Sequence, residues 1–392
     1  MSNSVITFFP VGNGGMTLIR LNDGLYDSLK TTILIDINIR DVSSSEDDIC
    51  DVAQELRDRL PIDSKKRPYV DAFILTHHDD DHISGFKENF HVGSLDDYKV
   101  PKDDETPKIV IRELWSTSRF CKQASDNYSL SDDAKEFNKE MRRRVKLFED
   151  NQYIQPEGER AIIVGKYPDG KTDGIDLITR GIGTAFSKIN ERNIGTKFEG
   201  FILGPLEQQD NEQDEDFDEK NRQSIILQII VIENQYEHKI LMAGDAECSV
   251  WEILWGCYNN SDRLKYDLLL TPHHCSWHSL SYDSQSEDDN PQVCEDAKSA
   301  LSQTKSGARI VAQCKAIKDN DDDPPSKAAK DEYLTIVSES CFYCTDEYPK
   351  EKNPEPIEFN LTGDGPQKKG IKEKSKLSVA ALVSTKESYP HG

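Results

Sequence analysis

The sequence predicts an α/β protein in which two β-sheets pack face to face with helices on the outside. Three observations point there. Short β-branched runs bounded by Gly, Asp or Pro recur along the chain, four stretches carry helical periodicity, and the two kinds are interleaved as strands and a helix followed by more strands and helices.

Strands are expected near 4–11, 15–21, 31–39, 70–76, 108–114, 161–165, 200–204, 224–232, 238–244, 266–271, 308–313, 340–345 and 357–362, and helices at 49–60, 134–148, 246–255 and 293–304. The first strand runs Val5-Ile6-Thr7-Phe8-Phe9-Pro10-Val11 into the Gly-rich turn Gly12-Asn13-Gly14-Gly15. The strand Val70-Asp71-Ala72-Phe73-Ile74-Leu75-Thr76 opens directly into His77-His78-Asp79-Asp80-Asp81-His82. Between about 115 and 200 the motif-bearing strands pause, which reads as an inserted, partly helical segment. Further on, Ile240-Leu241-Met242-Ala243 ends in Gly244-Asp245, where glycine lets the backbone turn closely and the carboxylate leaves the strand end. The strand Leu268-Leu269-Leu270-Thr271-Pro272 ends in His273-His274-Cys275-Ser276-Trp277-His278. Residues 1–318 are expected to form the main domain, and 319–392 an appendage entered through Asn320-Asp321-Asp322-Asp323-Pro324-Pro325 and available to a partner protein.

Six of the nine histidines lie in the two strand-end clusters. Imidazole and carboxylate together hold divalent transition metals, and the loop after Thr76 can split into two ligand pairs for ions about 3.5–4 Å apart. The plainer alternative is a solvated Asp-rich loop in an acidic protein. Three strand ends converging on one point would instead build a dinuclear site.

At these residues the chain resembles the metallo-β-lactamase superfamily. The motif order is the same: a strand followed by a His-x-(His/Asp)-x-Asp-His run, then Gly-Asp, then a late His at another strand end. Asp79, Asn221-x-x-Ser224 and Pro272-His273-His274-x-Ser276 are similar to the hydrolase domain of ComEC-type competence proteins, and the likeness runs from Val5 to about residue 315. The resemblance implies an αββα sandwich and two divalent ions, Zn²⁺ or Mn²⁺. It implies His77 and Asp79 on the first ion, Asp81 and His82 on the second, and Asp245 bridging them. His273 joins the second ion, with His274 as its rival and a catalytic candidate. Asp81 is a further candidate for orienting water, and Asn13, Ser224 and Ser276 for positioning substrate or loops. His78 and Asp80 are expected to point away from the site. The chain departs from the pattern twice: no further histidine in a suitable context lies between His82 and Asp245, and Cys275 stands where such sequences usually have Gly.

A metal-activated water, its pKa lowered from 15.7 to about 7, would need no Ser or Cys nucleophile. The implied activity is phosphodiester hydrolysis on DNA, RNA or nucleotides. Stand-alone proteins of this kind look like effectors of bacterial conflict and antiviral defence. Hydrolysis of a small ester, lactone or amide is the alternative enzymatic reading, and a binding or regulatory module with a vestigial site the alternative from another class.

Composition bounds these readings. Seventy-two acidic residues against 48 basic ones give a net charge of -24, which argues against wholesale attraction to nucleic acid. The acids concentrate in 207–219, 43–48, 287–289 and 319–323. Basic character is local: Arg142-Arg143-Arg144 on a helix-like stretch, Arg112 and Arg119, and Lys368, Lys369, Lys372, Lys374 and Lys376. Each is either a solvated face or part of a strip guiding a phosphate backbone. Mean hydropathy of -0.68, no apolar run near ~20 residues and no secretory start predict a cytoplasmic protein. Nine scattered cysteines, Cys341-Phe342-Tyr343-Cys344 among them, read as reduced thiols.

Overall fold

The computed structural model describes residues 3–23, 30–40, 50–102, 105–118, 130–166, 172–206, 223–285, 290–320 and 322–370. The protein is mixed α/β. The first sheet begins with β1 (Val5–Phe8), β2 (Thr17–Leu21), β3 (Thr31–Ile35), β4 (Tyr69–Ile74), β5 (Val110–Thr117), β6 (Arg160–Val164) and β7 (Thr179–Arg180). After β8 (Ala185–Phe186) and the small pair β9 (Lys188–Ile189) and β10 (Arg192–Asn193), the second sheet takes β11 (Phe198–Gly204), β12 (Ile226–Glu233), β13 (Tyr236–Met242), β14 (Tyr266–Leu270), β15 (Thr304–Ala312) and β16 (Phe342–Cys344). The chain then returns to the first sheet with β17 (Ile357–Thr362) and β18 (Gly365–Lys368). The sheet orders are β18-β17-β1-β2-β3-β4-β5-β6-β7 and β16-β15-β14-β13-β12-β11-β8.

Apolar residues on both faces of the strands explain the layering. In β3, Ile33 and Ile35 enter the core between the sheets while Leu34 faces outward, and in β13 Ile240 and Met242 point in while Leu241 points out. A strand buried on both sides needs a cover on its outer face. On the first sheet that cover is α1 (Val52–Arg57), the short α2 (Asp80–Ile83) and α3 (Phe86–Asn89), and the long α4 (Asp132–Asn151). On the second it is α5 (Cys248–Tyr258), α6 (Glu295–Leu301) and α7 (Lys327–Ile336). Phe137, Met141, Val145 and Phe148 form the buried stripe of α4, with Phe137 edge-on to Phe73 at 6.1 Å. The Ser131 hydroxyl accepts the Ala134 N–H and starts that helix, and Gln152 at φ 58 ends it.

Two expected boundaries are corrected. The stretch 115–200 is not an insertion over the site: β5, β6 and β7 pair in parallel, extending the first sheet, with α4 as the covering crossover. Nor is 319–370 an appendage free to dock a partner. β16 pairs with β15, and β17 lies antiparallel to β1 with Val5 opposite Asn360, so this segment completes both sheets. Its burial supplies the reason, since Ile357, Phe359 and Leu361 are fully covered in the inter-sheet core. Residues 371–392, with Lys372, Lys374 and Lys376, lie outside the described residues, as do Arg119, Asn221, Cys121, Asp321 and the acidic runs 43–48, 207–219 and 287–289. Among the described residues no helix is long and apolar enough to cross a membrane.

Parallel pairing decides where the functional side chains meet. β3 and β4 run parallel, so their C-terminal ends bring Asp36 and Thr76 together; β13, β14 and β15 run parallel and present Asp245, His273 and Gln313 at one edge. The two edges join where the Ile225 N–H donates to the Thr76 carbonyl at 3.0 Å. Ligands of open parallel sheets gather at such carboxyl ends.

Candidate metal centre

Asp81, His82, Asp245 and His274 each offer a ligand atom, and these four atoms lie within 4.8 Å of one another. The His82 Nε2 is 3.1 Å from both the His274 Nε2 and the Asp245 Oδ1. The His274 Nε2 is 3.2 Å from Asp81 Oδ2 and 3.4 Å from Asp245 Oδ2. A tetrahedral ion with bonds of about 2.0–2.1 Å separates its ligands by about 3.3–3.4 Å, so the spacing suits a cation at the centre.

The local sequence explains each placement. Gly244 at φ +52 turns the chain out of β13, and a Cβ there would meet the Ser224 Cβ at 2.9 Å. The Asp245 N–H donates to the Ser224 hydroxyl at 3.2 Å, which sets the direction in which the carboxylate leaves. After β14, three successive non-glycine residues, His273, His274 and Cys275, take φ values of 46, 53 and 67. This left-handed turn costs roughly 1–2 kcal/mol per residue and is held by hydrogen bonds. The His273 N–H donates to Gly244, the Ser276 N–H to His273 and the Ser326 N–H to Cys275. Cys275 thus occupies a conformation that glycine adopts more cheaply.

That turn separates the paired histidines. His274 is buried in the four-residue group, whereas the His273 Nε2 stands 3.9 Å from Asp245 Oδ2 with its Nδ1 3.7 Å from Glu247. The expected assignment is therefore corrected: His274, not His273, sits with Asp81 and His82. His77, buried at the end of β4, points its Nε2 at Asp245 Oδ2 from 3.4 Å, and that nitrogen has no hydrogen-bond partner. A buried imidazole nitrogen left unpaired beside a carboxylate is the arrangement a cation would satisfy. Asp79 stands outside the close group, at the start of α2, where its side chain makes no cap. His78 turns away, 3.4 Å from the Ser116 hydroxyl and edge-on to Phe137, and Asp80 is exposed.

Electrostatics agree with a cation-seeking site. Burial raises the Asp245 carboxyl, yet His82, His274 and His77 together hold it well below its ordinary range. Burial lowers both the His82 and the His274 imidazole, but Asp245 and Asp36 push His82 well above its ordinary value, and Asp245 and Asp81 raise His274 to about 9. Protons on the imidazoles compensate the buried carboxylates, and a metal would displace them on binding.

One residue with a clear part escaped the sequence reading. Asp36, just past β3, accepts at Oδ2 from His82 Nδ1 at 2.8 Å and from the Thr76 hydroxyl at 2.6 Å, and at Oδ1 from the Thr76 N–H at 2.7 Å. Its signal was present, a carboxylate ending an apolar strand as Asp245 does. Gln313 is another, joining β15 to the Gly-rich turn by donating to the Phe9 and Met16 carbonyls. In that turn the Gly14 nitrogen lies 3.1 Å from His274 Nδ1, which also faces the Gln313 carbonyl at 3.2 Å, and a Cβ at Gly14 would lie 2.5 Å from the Asp81 carbonyl.

The remaining candidates have partners within the fold. Asn13 donates to the Pro324 carbonyl and accepts from the Lys315 N–H, tying three loops together. Ser276 is buried, its hydroxyl accepting the His278 N–H. Arg142, Arg143 and Arg144 form no strip. Arg144 is buried, donating to Glu140 at 2.7 Å and to the Arg160 and Ile111 carbonyls. Arg143 pairs with Glu140 and Glu159, and only Arg142 is exposed, because successive helix positions point about 100° apart. The sequence matches no protein-family model and no curated protein, so what this cluster can do follows from its own residues.

Proposed function

We propose that the chain is a metallo-β-lactamase-like hydrolase that uses two divalent ions, Zn²⁺ or Mn²⁺, to cleave phosphodiesters in a nucleic acid or nucleotide. The observation that supports this most is the sharing of one buried carboxylate. Asp245 directs Oδ1 to His82 and Oδ2 to His274 and His77, with His273 behind, so it stands between two sets of imidazoles. His82, His274 and Asp81 would hold one ion with Asp245, and His77 and Asp79 the other. Such a pair lowers the pKa of water and stabilises both oxygens of an in-line displacement. Asp81 is the most solvent-facing member of the close group, its side chain 40% exposed, which suits it to orient the attacking water. Asp36 fixes the His82 ring so that Nε2 faces the centre.

A small ester, lactone or amide is the second reading, favoured by a specific observation. Arg143 and Arg144, expected to guide a polymer, are consumed by Glu140 and Glu159. Elemental analysis of protein purified without chelator, followed by turnover of plasmid and single-stranded DNA, a generic phosphodiester and an ester panel with added Mn²⁺ or Zn²⁺, separates the readings. The expected result is about two ions per chain and cleavage of phosphodiesters. A chain that binds no more than trace metal under any condition overturns the enzymatic reading.

A further inference from the structure

The ion that His77 and Asp79 would hold has no mid-chain histidine to complete it. His91 and His238, the two histidines between His82 and Asp245, are occupied elsewhere. The His91 Nε2 lies 2.9 Å from the Ser94 carbonyl and its ring stands against Tyr98, while the His238 Nε2 lies 2.9 Å from the Thr362 carbonyl. His273 differs from both. Its Nε2 stands 3.9 Å from Asp245 Oδ2, and its buried Nδ1 has no hydrogen-bond partner.

Asp245 Oδ2 faces three imidazoles, His77 and His274 at 3.4 Å and His273 at 3.9 Å. His274 is claimed by the close group through His82 and Asp81. Neither His77 nor His273 brings a ring nitrogen within 4.0 Å of Asp81, so the carboxylate these two share is Asp245. The left-handed turn sets the His273 and His274 ring centroids 6.1 Å apart with their planes at 68°, dividing adjacent imidazoles between two sides of one carboxylate. Strained non-glycine backbone of this kind persists where its surroundings hold it, and it gathers at ligand sites. Behind the ring, Glu247 Oε1 lies 3.7 Å from His273 Nδ1, the relation that Asp36 has to His82. The Glu247 backbone is fixed at the start of α5, where its carbonyl accepts the Val250 and Trp251 N–H groups at 3.0 and 3.3 Å. The 3.9 Å of His273 is wider than the 3.4 Å of His77, and a small rotation of a ring unbonded at Nδ1 closes the difference.

We infer that His273 is a ligand of the ion held by His77 and Asp79, supplied from the turn after β14 in place of a mid-chain histidine. The inference rests on the two-ion reading and completes its ligand set. Each ion then has two imidazoles, one carboxylate of its own and a share of Asp245. Glu247 acts as a positioning residue: a carboxylate at Nδ1 turns Nε2 towards the cation and raises the basicity of the ring.

The test titrates the full chain with Co²⁺ alone, read by visible absorption and metal content, in the wild type, His273→Gly and Glu247→Gln. Glycine fits the left-handed backbone at φ 46 without strain. The wild type is expected to take up two ions. His273→Gly should weaken one of them by at least about tenfold and leave the other nearly unchanged, and imidazole added to the solution should restore the weakened ion. Glu247→Gln should weaken the same ion by less. Unchanged affinities for both ions in His273→Gly overturn the assignment, and so does an equal loss of both. Should His273→Gly fail to fold, NMR of the Co²⁺-loaded wild type decides: metal-shifted ring protons of a fourth histidine beside His77, His82 and His274 support the assignment, and their absence overturns it. A wild type that takes up fewer than two ions overturns the two-ion reading itself, and this assignment with it.

Discussion

Asp36 holds the ring of His82: its Oδ2 lies 2.8 Å from His82 Nδ1, while the opposite nitrogen faces Asp245 Oδ1 at 3.1 Å. With the Nδ1 hydrogen donated to Asp36, Nε2 is the nitrogen left to bind a cation. A carboxylate behind a ligating histidine fixes its tautomer and raises its basicity. Asp36→Asn is therefore expected to weaken metal binding about 10- to 100-fold, measured by competition with a coloured chelator. Thermal unfolding of the metal-free protein separates this from a folding defect, and unchanged affinity would show that His82 needs no such support.

Asp245 and Asp80 make a sharp contrast, one buried among imidazoles and the other exposed on the first turn of α2. Asp245→Asn is expected to lose bound metal and at least about a hundredfold in rate. Asp80→Asn should keep most of both. Metal content after gel filtration, read beside initial rates, checks the pair, and a more damaging Asp80→Asn would require the ligands to be reassigned.

Arg144 and Arg142 are neighbours in sequence with opposite environments. Removing the buried guanidinium with Arg144→Ala leaves Glu140 paired with Arg143, takes a donor from the Arg160 and Ile111 carbonyls, empties a buried site, and is expected to cost about 2–4 kcal/mol of folding free energy. Arg142→Ala should stay within about 0.5 kcal/mol. Urea denaturation midpoints at constant slope distinguish them.

His238 gives the fold a pH dependence remote from the metal centre. Burial lowers its imidazole to about 4, against the raising charge of Asp267 and the bond from Nε2 to the Thr362 carbonyl. The ring is neutral in the folded protein, while the unfolded chain takes up a proton below about 6.5. Its contribution is thus complete above pH 6.5 and lost as pH falls towards 4, at no more than about 1.4 kcal/mol per pH unit. His238→Gln should flatten the stability profile in that window, and an unaltered slope would contradict the assignment.

Much of the site was legible in the sequence because its signals are local. A polar cluster directly after an apolar strand marks a strand end, and period and composition suffice to find Thr76, Gly244 and Thr271 as such points. The helix 134–148 was legible for the same reason, its apolar stripe recurring every turn, and its structure at Asp132–Asn151 differs only at the ends. The layered α/β arrangement was expected from the order in which β-branched runs and helical stretches alternate along the chain.

What escaped depends on residues distant in the chain. Asp36 became part of the centre only because parallel pairing of β3 with β4 sets it against Thr76 and His82, 46 residues on. The choice between His273 and His274 was settled by a left-handed turn at three non-glycine residues, a conformation that local propensity disfavours and tertiary hydrogen bonds maintain. The burial of Arg144 was decided by the helix face that meets β5 and β6, and the place of 357–362 by an open edge at β1, some 350 residues earlier. The sequence by itself determined which residues stand at strand ends and which segments must be buried. Only the tertiary structure decided which strand ends share an edge, because that depends on pairing between distant segments, to which local periodicity is blind.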